Sequence, residues 1–297
     1  MTGTLRPEIA AALHTAGLDP AEVERVVVRA LEEDLALGPD VTTISTVAQG
    51  SHATGDVVPR TTGVLAGVNV AAAVFDLVGG RAVELVPHAD DGSAARPGRA
   101  VLTVTGPTRV LLTAERTALN LVGHLSGVAS LTRRWADAVA GTAAVIRDTR
   151  KTTPGLRALE KYAVRCGGGI NHRMALGDAA LVKDNHLAAA GGITAAVDAV
   201  RRHTPEIPLE VECDTLDQVQ EAIGAGVPLV LLDNFSLADI RTAVSLAQPA
   251  GVRLEASGGL SLDRAAATAA TGVDYLAVGA LTHSAPTLDL GFDLRTR

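Results

Sequence analysis

Aromatic residues are scarce in this chain: they make up 2% of its 297 residues, whereas hydrophobic residues as a whole make up 47%. The hydrophobic core must therefore be built from Ala, Val, Leu and Ile. Aliphatic side chains of this kind suit parallel strands that are buried on both faces. The composition thus favours an α/β protein.

Cysteines and long apolar runs are also lacking. Cys166 and Cys213 lie far apart in the sequence and form no metal-type pair, so we expect two reduced thiols in a reducing compartment. No window approaches about 18 consecutive apolar residues, so we expect no membrane span. Arg6, Glu8 and His14 interrupt the N-terminal segment, which does not have the pattern of a signal peptide. The cytoplasm is the predicted location.

The chain has no excess of basic residues, and its formal net charge is −7. A nucleic-acid partner is therefore not expected, because binding to a phosphate backbone normally needs a basic surface. The segment 147–183 is an exception, with eight Lys or Arg against three Asp or Glu. A dense basic segment in an acidic protein predicts a local anion site.

The first third of the chain mixes helices and strands without regular alternation, which is typical of an α+β domain. A polar turn is expected at 40–43, and a long helix at 110–140 follows the domain junction near Pro107. The other predicted helices are 6–18, 21–37 and 67–78, and the predicted strands are 52–60, 81–88 and 99–105.

From residue 143 onward, strands and helices alternate. This rhythm predicts parallel strands with right-handed crossovers, in an α/β barrel with fewer than the eight strands of a complete one. Either the barrel is incomplete or one or two weak strands escape detection. The predicted strands are 143–148, 179–183, 209–213, 229–233, 253–257 and 275–279, and the helices between the last five are 192–203, 215–224, 236–247 and 261–270.

Polar or Gly residues follow the end of each predicted strand, where α/β barrels carry their chemistry. Basic residues suit carboxylates and phosphates, acidic residues suit sugar hydroxyls, a sugar cation or Mg2+, and Gly turns suit a terminal phosphate. Glu210 and Glu212 lie on one strand, and we expect only one of them to face inward. The basic rim is Arg150, Lys151, Arg173 and Lys183, the acidic rim is Glu212 and Asp233, and the turns are Ser257-Gly258-Gly259 and Gly279.

The segment DTRKTTPGLRALEKYAVRCGGGINHRMALGDAALVKDNHL, residues 148–187, closely resembles the central signature of quinolinate phosphoribosyltransferases. About forty residues with many fixed types are far more specific than a short Gly motif. Further matches occur in the expected order over nearly the whole chain. They are EEDLALGPDVTT (32–43), ERTALNLVGHLSGVASLT (115–132), EVECDT (210–215), LLDNF (231–235), EASGGL (255–260) and GVDYLAVGALTHSAPTLDLGF (272–292).

The resemblance implies an N-terminal α/β sandwich domain and an open, incomplete α/β barrel of about six or seven parallel strands. The expected domains are 1–107 and 108–284, with 285–297 returning to the first. It also implies a homodimer, and possibly a higher assembly, in which Arg116 of the partner subunit completes each site.

The same resemblance implies two substrates and their binding residues. Quinolinate is expected to contact Arg116 of the partner subunit together with Arg150, His172, Arg173 and Lys183. The 5-phosphoribosyl 1-pyrophosphate is expected to bind with Mg2+, for which no protein ligand is assigned. Its predicted binding residues are Lys151, Glu212, Asp233, Ser257, Gly258, Gly259 and the turn of Val278, Gly279 and Ala280. Thr149 is a further predicted substrate-binding residue.

These residue types lead to a mechanistic hypothesis. The ring nitrogen of quinolinate attacks the sugar C1 as pyrophosphate leaves, and CO2 is then lost from the adjacent ring carbon. Glu212 and Asp233 stabilise the cationic sugar, while Lys151 and Mg2+ stabilise the departing oxygens. Lys183 is expected to act on the dicarboxylate.

Three alternatives stay open at this point. A phosphoribosyltransferase of similar barrel fold could act on another acid, such as nicotinate. A lyase could use Lys183 to form a Schiff base. A non-catalytic homologue of the molybdenum-transport-associated group could bind an oxyanion without releasing pyrophosphate.

Overall fold

The computed structural model describes residues 4–296, except for the side chain of Thr296. The helices are α1 (Pro7–Thr15), α2 (Pro20–Asp34), α3 (Val41–Thr46), α4 (Val68–Gly79), α5 (Thr108–Ala138), α6 (Arg157–Cys166), α7 (Asp184–Ala190), α8 (Ile193–His203), α9 (Leu216–Gly224), α10 (Leu237–Ala247), α11 (Leu262–Ala269) and α12 (Ala280–His283). The strands are β1 (His52–Pro59), β2 (Gly63–Val64), β3 (Glu84–Pro87), β4 (Ala94–Ala95), β5 (Leu102–Pro107), β6 (Val145–Arg147), β7 (Ala180–Val182), β8 (Leu209–Cys213), β9 (Leu229–Asp233), β10 (Arg253–Ser257), β11 (Tyr275–Ala277) and β12 (Leu290–Thr296).

The chain folds into two compact units. Unit 1 contains the described residues of 1–133, 152–168 and 282–297, and unit 2 contains residues 134–151 and 169–281. The boundaries expected from the sequence, with a junction near Pro107, remain a prediction.

Unit 1 is built on an antiparallel sheet of four strands in the order β12-β1-β5-β3. The last strand of the chain therefore lies beside the first. Its Phe292 ring stacks on Phe75 of the buried helix α4, with ring centroids 5.5 Å apart. Gly55 on β1 leaves room for this ring, because a Cβ atom there would collide with Phe292.

The segment expected to form a polar turn at 40–43 is instead the start of helix α3, so this prediction was wrong. Asp40 is the N-cap, and its side chain accepts a hydrogen bond from the backbone N–H of Thr43 at 2.9 Å. A capping carboxylate of this kind satisfies one of the unpaired N–H groups at a helix start. The cap thus overrides the poor helix propensity of the Val and Thr residues that follow.

Unit 2 confirms the predicted α/β class. Its six strands form one parallel sheet in the order β6-β11-β10-β9-β8-β7. Helices α8 to α11 connect consecutive strands of the sheet, as the alternation predicts. Within the described part of the chain, β6 and β7 each pair with a single neighbouring strand, so strand pairing does not close the barrel.

Burial also determines the state of the two cysteines. Both are free, Cys213 is buried and Cys166 is half-buried. Desolvation raises the pKa of Cys213 to about 12 and that of Cys166 to about 11. Both side chains are therefore unreactive thiols at neutral pH. None of the helices in residues 4–296 is both long and apolar enough to cross a membrane.

Candidate active site

A cavity of about 460 Å³ opens at the carboxyl edge of the sheet in unit 2. This volume suits a small-molecule site. Its position confirms that the polar strand ends meet at one mouth. The lining residues are Thr149, Arg150, Lys151, His172, Arg173, Leu181, Lys183, Glu212, Leu231, Asp233, Glu255, Ser257 and Ala277.

Two guanidinium groups face each other on the basic side of the cavity. Burial and the nearby charge of Arg150 lower the pKa of Arg173. One nitrogen of Arg173 donates to the carbonyl oxygen of Ala179 at 3.1 Å, which fixes the side chain. Like charges held close together are stabilised when an anion binds between them, and a guanidinium group can grip a carboxylate with two hydrogen bonds.

Lys183 follows strand β7, and both its side chain and its backbone N–H contact neighbouring residues. Its ammonium group forms a salt bridge with Glu212, and its backbone N–H donates to Nδ1 of His186 at 3.0 Å. The salt bridge engages the side-chain nitrogen that a Schiff base would need. This contact disfavours the Schiff-base reading of Lys183.

Asp148, which has no exposed surface, fixes the loop that carries His172. One carboxylate oxygen accepts from the backbone N–H of His172 at 2.8 Å, and the other accepts from the side-chain amide of Asn171 at 2.5 Å. The residue directly after β6 therefore positions a loop that comes 23 residues later.

His172 lies in the floor of the cavity, and its ring nitrogens are both engaged. The backbone N–H of Arg173 donates to Nδ1 at 2.8 Å, so Nδ1 carries no proton. Nε2 must then carry the proton, and it donates to Glu210 at 2.8 Å. Both ring nitrogens of the neutral His172 are therefore used in hydrogen bonds with neighbouring residues of the cavity floor.

Glu210 and Glu255 lie beside His172 in the same buried cluster. Their carboxylate oxygens and a ring nitrogen of His172 lie within 4.8 Å of one another. Arg147 donates to the Oε2 atom of Glu255 at 2.6 Å. The Oε1 atoms of Glu210 and Glu255 are buried and have no hydrogen-bond partner among the residues described.

Burial dominates the electrostatics of these two carboxyl groups. Desolvation raises the pKa of Glu210 to about 7 against the opposing charge of Arg147. Desolvation and, next, the charge of Glu210 raise the pKa of Glu255 to about 7. Burial thus favours the protonated form of both carboxyl groups relative to an ordinary glutamate.

The acidic side of the cavity lies at the ends of β9 and β10. Asp233 accepts a hydrogen bond from the side chain of Asn234 at 2.7 Å, and the backbone N–H of Asn234 donates to the carbonyl oxygen of Ser257 at 3.0 Å. Gly258 has a φ of 78°, and a Cβ atom there would collide with Asn234. The turn therefore needs glycine, which lets two strand ends lie close together.

The structure brings most of the predicted site residues together. The nine that line the cavity are Thr149, Arg150, Lys151, His172, Arg173, Lys183, Glu212, Asp233 and Ser257. Five others follow the lining residues Ser257 and Ala277 along the chain, namely Gly258, Gly259, Val278, Gly279 and Ala280. Arg116 belongs to unit 1 and is exposed on α5. The individual roles of these residues remain predictions.

Sequence reasoning missed the floor of the cavity. The expectation that only one of Glu210 and Glu212 faces inward was wrong, because residues two apart on a strand point to the same side. Glu255 and Arg147 were not selected, although each is a charged residue in a short apolar strand. That pattern is the available signal, since a charge in a buried strand needs a partner.

The fold and the cavity together define a class of protein. A parallel α/β barrel with cations, carboxylates and Gly turns at its carboxyl edge is an enzyme scaffold for an anionic substrate. The family can be stated from the comparisons with known proteins.

The N-terminal domain of the quinolinate phosphoribosyl transferase family matches residues 40–126, and the C-terminal domain matches residues 128–293. A carboxylating nicotinate-nucleotide pyrophosphorylase of Mycobacterium leprae is 55% identical over 270 residues, which cover 90% of this chain and 95% of the relative. The chain therefore belongs to the quinolinate phosphoribosyltransferase family.

Solved structures agree with this assignment. NadC from Streptococcus pyogenes has a TM-score of 0.89 and 38% identity, covering 94% of this chain and 99% of the other. The nicotinate-nucleotide pyrophosphorylase from Francisella tularensis has a TM-score of 0.88 and 37% identity, covering 93% and 96%.

Proposed function

We propose that this protein transfers a phosphoribosyl group from 5-phosphoribosyl 1-pyrophosphate to quinolinate and decarboxylates the product. The products are nicotinate mononucleotide, pyrophosphate and CO2, and the reaction belongs to NAD biosynthesis. Family membership and the relatives named for this reaction support the proposal. The observation that carries it is the shared cavity of Arg150, Arg173 and Lys183.

Quinolinate carries two adjacent carboxylates, so it needs several cations in one pocket. Arg150 and Arg173 repel each other without a ligand, and a dicarboxylate between them relieves that repulsion. Each charge-assisted hydrogen bond contributes roughly 1.5–3 kcal/mol. The basic side of the cavity therefore orients the pyridine ring.

The sugar and its pyrophosphate fit the opposite side. Glu212 and Asp233 lie at the ends of neighbouring strands, where their negative charges stabilise the cationic sugar formed as pyrophosphate leaves. Lys151 is exposed at the mouth, where it neutralises the departing oxygens. Mg2+ arrives bound to the pyrophosphate and is part of the substrate. Carboxylate oxygens suit such a complex, and we assign the ion no particular protein ligand.

The bond changes follow from the chemistry of the ring. The pyridine nitrogen forms a bond to the sugar C1 while the bond from C1 to pyrophosphate breaks. The positively charged ring nitrogen then accepts electron density from C2, so the carboxylate on C2 leaves as CO2. The protein contributes mainly by positioning and neutralising charge.

The proposal includes a cytoplasmic homodimer in which Arg116 of the partner subunit adds a cation to the quinolinate side. Arg116 is exposed on α5, and its place in the ERTALN motif supports this role. An Arg116→Ala variant mixed with a variant inactive in unit 2 should regain activity only through mixed dimers. Failure to regain activity would contradict the shared site.

Turnover of cavity variants tests the function. Arg150→Ala or Lys183→Ala should depress turnover on quinolinate by about a hundredfold or more, since each removes a charged contact to the dicarboxylate. Arg241→Ala is the matched control, because Arg241 is exposed on α10, and its turnover should equal that of wild type. Wild-type turnover of a cavity variant would contradict the assignment, as would faster wild-type turnover of nicotinate than of quinolinate.

A further inference from the structure

Decarboxylation leaves a chemical requirement that the basic rim does not meet. When the bond from C2 to its carboxylate breaks, the electron pair stays on C2 and CO2 departs. C2 must then form a bond to a proton, or else recapture CO2. An acid in the cavity wall that titrates near neutral pH is suited to this task.

The arginines and His172 are poor proton sources. A guanidinium group is a very weak acid and does not donate a proton near neutral pH. The Nε2 proton of His172 is directed at Glu210, and its Nδ1 atom accepts from the backbone. Lys183 is paired with Glu212. Three carboxyl groups among the described residues line the cavity. Glu212 and Asp233 are partly exposed, whereas Glu255 is fully buried.

The charges of the floor require a bound proton. Glu255 has no exposed surface, and the fixed cation that it contacts is Arg147, which also lies over the ring of Tyr275 at 4.7 Å. The two buried carboxyl groups share Arg147 as the cation in hydrogen-bond contact, while Arg173 and Lys183 act on Glu210 from farther away. Desolvation and the repulsion of Glu255 by Glu210 oppose these cations and favour a proton bound to the pair. The charged or titratable groups that face this pair are Arg147, His172, Arg173, Lys183, Glu212 and Tyr275.

The geometry favours a proton over a metal ion in this cluster. A metal ion would need lone pairs from His172, Glu210 and Glu255 together. Nε2 of His172 carries its proton, since Nδ1 accepts a hydrogen bond, and Arg147 already supplies a positive charge to Glu255. A proton can reside on the Oε1 atom of Glu210, which has no hydrogen-bond partner among the described residues, or on that of Glu255, which lies 3.5 Å from Nε2 of His172.

We propose that Glu255 is the acid that protonates C2 of the pyridine ring after CO2 has left. The proposal rests on the proposed function of the same cavity. The O–H bond of Glu255 breaks, its proton joins the electron pair on C2, and the Glu255 carboxylate remains paired with Arg147. Glu210 keeps the pKa of Glu255 high, and water returns the proton before the next turnover.

Single-turnover kinetics of Glu255→Gln test the role. Glutamine keeps the size of the side chain but has no acidic proton. We expect pyrophosphate release within about threefold of wild type, while CO2 release falls by about tenfold or more because the carbanion recaptures CO2. Glu160→Gln is the matched control, since Glu160 is a fully buried glutamate in unit 1 that also contacts a histidine. In that variant the ratio of the two rates should equal that of wild type.

Several outcomes would overturn the role. Equal losses of both rates would make Glu255 a structural residue, and unchanged rates would make another group or water the acid. One tightly bound metal ion per wild-type chain that is lost in Glu255→Gln would make the cluster a metal site. Absence of pyrophosphate release from wild type would instead refute the proposed function.

Glu210→Gln provides a second test if Glu255→Gln does not fold. Glutamine at this position still accepts from His172 but removes the neighbouring negative charge. The pKa of Glu255 should then fall, so CO2 release in single turnovers should decline at lower pH than in wild type. The same pH dependence in both proteins, or a shift to higher pH, would contradict the proposal.

Discussion

Each unit of this protein contains a histidine that contacts a buried glutamate at the same distance, in a different environment. In unit 1, Nε2 of His124 lies 2.8 Å from Glu160, whose other oxygen accepts from the backbone N–H of Thr153 at 3.0 Å. In unit 2, Nε2 of His172 lies 2.8 Å from Glu210, whose other oxygen has no partner among the described residues.

The two pairs differ in how completely the glutamate is hydrogen-bonded. Folded proteins satisfy buried polar atoms, and Glu160 follows that rule by joining a helix to a loop. Glu210 does not follow it, and it lies beside Glu255 in the floor of a cavity. The unpartnered oxygen therefore distinguishes the pair in the cavity floor from the pair in unit 1.

Replacing each histidine with alanine should give the largest difference in turnover between the two pairs. His172→Ala should lower turnover by about a hundredfold, since it releases Glu210 and the backbone N–H of Arg173. His124→Ala should leave turnover within about twofold and lower the melting temperature instead. Steady-state kinetics and thermal melts of both variants check this. Equal losses of turnover would show that the two pairs do not differ in function.

Exchanging each glutamate for glutamine should have a moderate effect on stability. Glu160→Gln can keep one oxygen for the backbone N–H of Thr153 but loses the charged acceptor that faces His124, so the free energy of unfolding should fall by about 1 kcal/mol. Glu210→Gln places the NH2 group where no donor faces it, so the change should stay within about 0.5 kcal/mol. Both changes can be measured from the midpoints of urea-induced unfolding, provided that the dependence of the free energy on urea concentration is the same in all proteins. A larger loss in Glu210→Gln would refute the contrast.

The pH dependence of stability should show the smallest effect. Glu255 has an ordinary pKa of 4.5, and burial raises it to about 7 in the folded protein. The folded state therefore binds more protons between these values, and the stabilisation is present below pH 4.5 and lost as the pH rises through 7. From pH 5 to 8, the melting temperature of wild type should fall more than that of Glu255→Gln, by about 2–4 °C for each kcal/mol. Parallel curves for the two proteins would show that Glu255 titrates normally.

The rim of the cavity could be predicted from the sequence, whereas its floor could not. Alternating strands and helices imply a parallel sheet, and the residues after parallel strands meet at one edge. The positions of Lys183 and Asp233 at the ends of predicted strands therefore suffice to place them at the mouth of the cavity. Arg147 lies within β6, and its partner Glu255 comes 108 residues later, so no local pattern joins them. Only the register of the sheet brings these two residues together.

Short segments limited the prediction of the fold for a similar reason. Strand β7 has three residues and β6 has three, so each contributes a weak pattern that only the neighbouring elements support. The start of helix α3 is predicted as a polar turn because its Val and Thr residues have low helix propensity, and the cap supplied by Asp40 decides the outcome.

Joint measurement of pyrophosphate and CO2 tests the central claim most directly. Purified protein is mixed with quinolinate, 5-phosphoribosyl 1-pyrophosphate and Mg2+, and both products are followed in the same reaction. A cavity that binds the dicarboxylate and completes both steps predicts equal amounts of pyrophosphate and CO2, each dependent on quinolinate. Pyrophosphate without CO2, or neither product, would contradict it.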